Sequence, residues 1–315
     1  MKKILVTGGA GFIGSHIVRY FFANGFEVRV FDDFSRGSNS RLVDLEDQIE
    51  IIEGDIRNTD ELVRASRDID TLIHLAFVNG TENFYKYPNL VLDVAIEGIL
   101  SIREAIKQNN IYDVMLASSS EVYQVPSVFP TPEDVSFSIP SLNNPRFSYG
   151  LGKIIQEFYL YHMNVELKNL TIFRPHNVYG FDMGNLHVIP ELFNKALGAK
   201  DSNHKLEIQG DGNQTRTFCH ILDFICAFDL IFLNRSGKEV FNIGTSEEVS
   251  IEYLAKEIAR VTGIELTLNH TNMPEGGTNR RIPDISKIEN LGFRQEIDLK
   301  SGLHMYYKNI MKNQD

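Results

Sequence analysis

Thr7-Gly8-Gly9-Ala10-Gly11-Phe12-Ile13-Gly14 follows directly on the apolar run Ile4-Leu5-Val6 and opens a stretch, Ile13–Asn24, with apolar residues at helical spacing. A strand that turns through glycines straight into a helix leaves few architectures open, because the helix must pack back on the strand it has just left. Gly8 allows the tight turn, Gly11 a close backbone approach to a ligand, and Gly14 close helix–strand packing. Glycine-rich turns are common, so the triplet alone is a weak signal; its place between strand and helix gives it weight. The helix N-terminus behind it offers partial positive charge to an anion. Gly8, Gly11, Phe12, Ile13 and Gly14 are therefore expected to hold the pyrophosphate of a dinucleotide.

The rest of the first half repeats the alternation. Glu27–Asp32, Ile49–Glu53, Thr71–Leu75, Val114–Ser118 and Leu170–Arg174 read as short, nearly all-apolar strands. Asp60–Ser66, a long stretch from Pro88 to Lys107, and Tyr149–Met163 read as helices. Strands without polar alternation are covered on both faces, so the expected fold class is α/β with a doubly wound parallel sheet. After Arg174, Pro and Gly recur; Ile189–Leu197 and Ile251–Val261 read as helices around a strand at Val240–Ile243, and Pro274–Gly277 reads as a loop. The expected division is a dinucleotide-binding unit over 1–175, rejoined around 217–244, and a smaller α/β substrate lobe over 176–315.

The second strand ends in Asp32-Asp33, with Asp32 eighteen positions beyond Gly14, where a carboxylate accepts hydrogen bonds from ribose hydroxyls and repels a ribose phosphate. NAD is thus favoured over NADP. Arg36 is the counter-argument, since an arginine there can recruit that phosphate; a solvated loop charge is the preferred reading. Asp55 and Ile56, after the third strand, are candidates for the adenine, with a turn or capping role for Asp55 equally open. Leu75 and Ala76 would run along the cofactor.

Composition narrows the partners. The 315 residues carry 31 Lys and Arg against 42 Asp and Glu, a formal charge of -11, which leaves no broad basic surface for nucleic acid or an anionic membrane. Any phosphate must be held locally. Two cysteines, Cys219 and Cys226, are too few for a disulfide framework or a four-thiolate site, and Cys226 is read as core filling. The 9 histidines show no metal-ligand spacing, so no metal is expected. The first apolar run stops at Thr7 and none reaches the roughly 18 residues of a membrane span, so a cytoplasmic protein is expected.

Two segments bear on chemistry. Ser118-Ser119-Ser120-Glu121-Val122-Tyr123 follows a strand, and Tyr149-Gly150-Leu151-Gly152-Lys153 opens a helix. A spacing of four puts Tyr149 and Lys153 on one helical face, where the ammonium would lower the phenol from its ordinary pKa of about 10. The phenolate could then take a proton from a sugar hydroxyl while a serine shares the hydrogen bond. A lone Y-x-x-x-K is more often an ordinary helix face; beside the glycine-rich turn that reading loses ground.

With these motifs the chain resembles the extended short-chain dehydrogenase/reductases, and among them the NAD-dependent nucleotide-sugar epimerase/dehydratase family, nearly from end to end. The resemblance implies a Rossmann-type domain with tightly held NAD, a small lobe for a nucleotide-diphosphate sugar, and a homodimer joined through helices. It implies Ser119, Tyr149 and Lys153 as catalytic residues, the latter two also on the cofactor, with Ser120 beside the substrate. In Arg174-Pro175-His176-Asn177-Val178-Tyr179-Gly180 it places Pro175 by the nicotinamide and Asn177 on the substrate; an Asn capping a turn is the alternative. Gly210-Asp211-Gly212-Asn213-Gln214-Thr215-Arg216 resembles the family's diphosphate-binding segment, Arg281 matches a second arginine there, and Arg280 is a weaker candidate. A planar guanidinium fork suits two phosphate oxygens, while a surface salt bridge is the plain alternative for Arg216. Three departures bear on the sugar pocket: Ala95-Ile96-Glu97-Gly98 where the family has Asn-Val-x-Gly, Phe77 for a second small residue, and Gln124 for a glycine.

A sugar C4 ketone can be reduced from the opposite face, lose water, or leave. Elimination needs a further acid/base group, and Glu121 stands where dehydratases and decarboxylases of the family carry a glutamate. The preferred expectation is an epimerase acting through transient oxidation at C4, placed in bacterial surface-polysaccharide synthesis by His176-Asn177 and Asp182-Met183-Gly184. A 4,6-dehydratase or C4 dehydrogenase is the alternative, and a non-catalytic NAD-binding regulator is the alternative from another class. A regulator need not retain Ser119, Tyr149 and Lys153 together.

Overall fold

In the computed structural model, which describes residues 2–138, 141–185, 187–198, 205–272 and 276–312, strand and helix alternate from the start. The first part comprises β1 (Lys3–Thr7), α1 (Phe12–Ala23), β2 (Glu27–Asp32), β3 (Glu50–Glu53), α2 (Thr59–Ala65), β4 (Thr71–His74), α3 (Thr81–Lys86), α4 (Pro88–Asn109), β5 (Asp113–Ala117), α5 (Ser148–His162) and β6 (Asn169–Pro175). Then come β7 (Val178–Tyr179), α6 (Val188–Gly198), β8 (Lys205–Gln209), β9 (Thr215–Thr217), β10 (Cys219–His220), α7 (Ile221–Asn234) and β11 (Gly237–Ile243). The last elements are β12 (Glu248–Ser250), α8 (Ile251–Thr262), β13 (Thr267–Thr271), β14 (Arg280–Arg281), α9 (Ser286–Asn290) and α10 (Leu299–Lys312). Of the loop read at Pro274–Gly277, residues 274 and 275 lie outside the described residues.

Seven strands form one sheet in the order β11-β6-β5-β4-β1-β2-β3, every neighbouring pair parallel. The period of two along a strand decides which layer each residue meets. On β1, Ile4 and Val6 join the core with Val18 and Phe21 of α1 and Phe228 of α7, whereas Leu5 faces Leu62 of α2 and Ile99 and Ile102 of α4. Both faces are thus dry, which is why the strands carry no polar alternation. The strand order reverses at β1, between β2 and β4, and a crevice opens there beyond the carboxyl ends of the strands.

A separate apolar cluster joins Phe193 of α6, Leu206 and Ile208 of β8, Leu254 and Ile258 of α8 and Leu303 of α10. Cys226, read as core filling, is exposed on α7; Cys219 is the buried one. The outward turn of α7 at that position is the reason. Among the described residues no helix is long and apolar enough to cross a membrane.

Candidate active site

Every residue singled out above for cofactor, substrate or catalysis, save the weaker candidate Arg280, lines one cleft of about 590 Å³. The glycine-rich turn forms its floor. A Cβ at Gly14 would lie 2.1 Å from the Gly8 carbonyl oxygen, and one at Gly8, where φ is +72°, would lie 2.6 Å from the Ala76 amide nitrogen. The turn admits no side chain, so the start of α1 stays open to a pyrophosphate. Asp32 at the end of β2 accepts hydrogen bonds from the amides of Ala10 and Phe34, both at 2.9 Å. Burial raises its pKa, and those two amides pull the other way. The donor and acceptor set fits NAD.

On the cofactor side one open reading narrows. The Asp55 carboxylate is taken by Arg57, with contacts of 2.5 to 3.1 Å, which favours its turn role over an adenine contact. Arg36 is an exposed loop residue, as read, that also lines the cleft. Its side chain turns into the cleft, so close to Gly80 that a Cβ there would lie 2.5 Å from Nη1, and its charge reaches Tyr149.

The candidate reacting residues come from two element ends. β5 ends at Ala117, and Ser119 caps the single helical turn that follows, its Oγ accepting the Glu121 amide at 3.1 Å. α5 delivers Tyr149 and Lys153. A buried ion pair fixes that helix: Arg174 of β6 donates to both Glu157 oxygens at 2.9 and 2.6 Å and to the Tyr123 hydroxyl at 2.7 Å, while Ser118 also donates to Glu157.

Tyr149 does not have the environment its spacing from Lys153 predicts. Burial pushes the phenol up to about 12; the Ser119 hydrogen bond pulls it down, Glu121 pushes it up, and Arg36 and Arg281 pull it down. Lys153 instead donates to the Ala117 carbonyl at 2.7 Å and lies 4.0 Å from the centre of the Phe77 ring. Phe77 also meets Tyr149 edge-on at 5.2 Å, and Phe84 stacks on the phenol's other side at 4.7 Å. Two phenylalanines thus set the dryness that dominates the phenol. Burial brings Lys153 down to about 7, opposed by Glu157.

Glu121 and Arg281 occupy each other. Arg281 donates to the two Glu121 oxygens at 2.7 and 3.1 Å, and Arg146 stands 3.7 Å away. Burial alone would raise Glu121, but Arg281 and then Arg146 and Arg216 outweigh it and hold the carboxyl at about 2. Arg281 therefore has Glu121 as its partner, while its buried Nε has none among the described residues. Among the described residues Arg216 makes no salt bridge. It donates to the carbonyls of Thr215 and Thr278 at 2.7 and 2.6 Å, and burial with the nearby Arg281 lowers it to about 10. Arg280 faces away and pairs with Glu248 at 2.9 Å. Asn177, at φ +42°, donates to the Thr217 carbonyl at 2.8 Å, which gives it the turn role beside the cleft.

Sequence reasoning missed Arg146 altogether. Its signal was available: Pro145 starts a short turn just ahead of α5, which puts residue 146 one turn before Tyr149. Gln124 is also explained, since its amide donates to the Glu121 carbonyl at 2.6 Å and lies where a Cβ at Gly150 would be.

A parallel sheet with this strand order, a side-chain-free glycine turn at its switch point and a Ser/Tyr/Lys group across the crevice define a Rossmann-type, NAD-dependent enzyme. The chain belongs to the NAD-dependent epimerase/dehydratase family, whose model matches residues 4–244. It is 34% identical over 317 residues to a putative UDP-glucose 4-epimerase of Methanocaldococcus jannaschii, covering 98% of each chain. It is 28% identical to the UDP-N-acetyl-alpha-D-glucosaminuronate decarboxylase of Bacillus cytotoxicus, over 96% of this chain and 95% of the relative. The crystal structure of UDP-glucose 4-epimerase with UDP-glucose from Thermotoga maritima superposes with a TM-score of 0.88 at 27% identity, covering 99% of this chain and 100% of that one.

Proposed function

We propose that the protein is a nucleotide-sugar 4-epimerase that acts through transient oxidation at C4. The observation that carries this reading is the Glu121–Arg281 pair: a carboxylate with both oxygens held by an arginine and its pKa pulled down is a weak base for C5 as well as a poor proton donor for elimination, which leaves Ser119, Tyr149 and Lys153 as the proton-handling groups. When bound, NAD supplies a reversible hydride acceptor for the sugar carbon. Tyr149 takes and returns the hydroxyl proton as its phenolate, the form that Ser119, Arg36 and Arg281 favour against burial, while Ser119 holds the same oxygen and Lys153 adds positive charge to the cleft. Arg216, Arg281 and Arg146 together outnumber Glu121, which suits a dianionic diphosphate in an otherwise acidic protein.

On the same reading, residues 1–175, rejoined around 217–244, hold NAD, and the rest of 176–315 forms the lobe for the nucleotide-diphosphate sugar in a cytoplasmic enzyme. A homodimer through the outer faces of α4 and α5 is supported by the exposed Ile96, Leu100, Phe158 and Tyr161. A role in surface-polysaccharide synthesis rests on the sequence segments given above; deleting the gene and analysing the cell's sugars tests it.

One second reading has its own support. The decarboxylase relative acts on a uronate, a C4 ketone stands β to a C6 carboxylate, and the free Nε of Arg281 is a donor for such a group. Incubation with UDP-hexoses, their N-acetyl forms and the uronates, followed by mass and NMR identification, separates the outcomes. A product of unchanged mass and inverted C4 supports the epimerase; loss of carbon dioxide supports the second reading, and loss of water overturns both.

A further inference from the structure

Lys153 carries its charge into a dry place with no carboxylate at ion-pair distance among the described residues. Besides the Ala117 carbonyl, its ammonium donates to Oε1 of Gln156 at 3.3 Å. An ammonium only donates, so this contact sets the Gln156 amide with its oxygen toward Lys153 and its nitrogen away. That nitrogen meets the Ala95 carbonyl at 3.3 Å and Nε2 of His74 at 3.4 Å. An amide nitrogen only donates as well, so His74 must accept there. Burial, with the Lys153 charge beside it, keeps His74 neutral by lowering it to about 3, and its one proton therefore sits on Nδ1, which faces Thr7 Oγ1 at 2.8 Å. Thr7 ends β1 and leads into Gly8. Thr7, His74 and Gln156 are wholly buried, and Lys153 nearly so.

We propose that Gln156 is a positioning residue for Lys153, fixing the direction of the ammonium and tying it, through His74 and Thr7, to the glycine-rich turn. The proposal rests on the reading of Lys153 as part of the reacting group. It holds the proton-transfer helix and the cofactor turn in one register, because each link of the chain has a single allowed donor direction. Phe77 covers another side of the ammonium without offering an acceptor, and Gln156 gives it its side-chain oxygen among the described residues. The titratable groups acting on Lys153 are Glu157 on its own helix and His74 from β4, with Tyr149 of the same helix meeting the same Phe77 ring; β5 and α4 present Ala117 and Ala95, which do not titrate. Glu157 is already engaged by Arg174 and Ser118.

The test follows the Lys153 titration by the 13Cε shift in lysine-labelled protein without added substrate. Gln156→Met keeps the length and removes the acceptor, and the expected midpoint moves down by about one pH unit. Gln156→Glu is expected to move it up. Both variants folded with a wild-type midpoint would overturn the proposal. In turnover, Gln156→Met is expected to lower kcat with KM for the nucleotide sugar unchanged, whereas a merely structural loss lowers Tm without moving the midpoint and counts against it. Nitrogen NMR of the wild-type protein gives a reading that needs no variant: His74 as the Nδ1–H tautomer supports the chain, and the Nε2–H tautomer overturns it. If Lys153→Ala keeps full turnover, the catalytic reading fails, while the titration and tautomer results still decide the role of Gln156.

Discussion

At Tyr149 two effects oppose each other, and burial is the larger. The spacing to Lys153 was legible in the sequence, as was Ser119 after its strand. The electrostatics were not, because the cations that act on the phenol come from Arg36 and Arg281, one before and one far after it in the chain, and because Phe77 and Phe84 remove the water. Tyr149→Phe is expected to cut turnover by about 10²- to 10⁴-fold, the usual worth of a general acid/base, with NAD content unchanged by release and absorbance. Full activity would refute the assigned base. Glu121 gives a pH prediction. Its folded pKa lies below the ordinary carboxyl value, at about 2, so its stabilising contribution is complete above the unfolded value and fades as pH falls toward 2. Urea titrations from pH 6 to pH 3, within the range where about 4.3 is the unfolded value, should show a shallower loss for Glu121→Gln than for wild type. Parallel curves would mean that the pair does not hold the carboxyl ionised.

At the level of elements, the Arg174–Glu157 pair joins β6 to α5 and, through Ser118, to the end of β5. Both partners are within a few per cent of full burial, so removing one strands a charge. Arg174→Met is expected to cost about 3–5 kcal/mol by denaturant titration, and the double change Arg174→Met with Glu157→Leu to recover most of it. A loss under about 1 kcal/mol would show that the pair is solvated in solution. The strands of the sheet could be read within a residue or two, since both faces are apolar, except β11, whose polar start at Gly237-Lys238-Glu239 was missed. α7 could not: between the sheet and α1 its apolar residues run almost unbroken from Ile221 to Leu233, and no helical period shows. The resemblance supplied Arg216 and Arg281 as a pair for phosphate, but not that one of them is held by Glu121. That contact joins positions 160 apart, and no local pattern encodes it.

For the whole molecule, a formal charge of -11 surrounds a cleft in which arginines outnumber carboxylates around Glu121, so an anionic substrate finds its attraction inside and not on the surface. The exposed apolar residues on α4 and α5 predict self-association. Wild type is expected to sediment as a dimer and a Leu100→Glu, Phe158→Glu double variant as a monomer; a monomeric wild type would remove the proposed interface. The central claim is that one hydrogen leaves sugar C4 and returns to its other face within the same cleft. A UDP-hexose carrying deuterium at C4 tests this most directly. The account predicts an epimer that keeps the deuterium at C4, read by NMR and mass; an epimer whose C4 label has washed out, or no inversion from any nucleotide sugar, would contradict it.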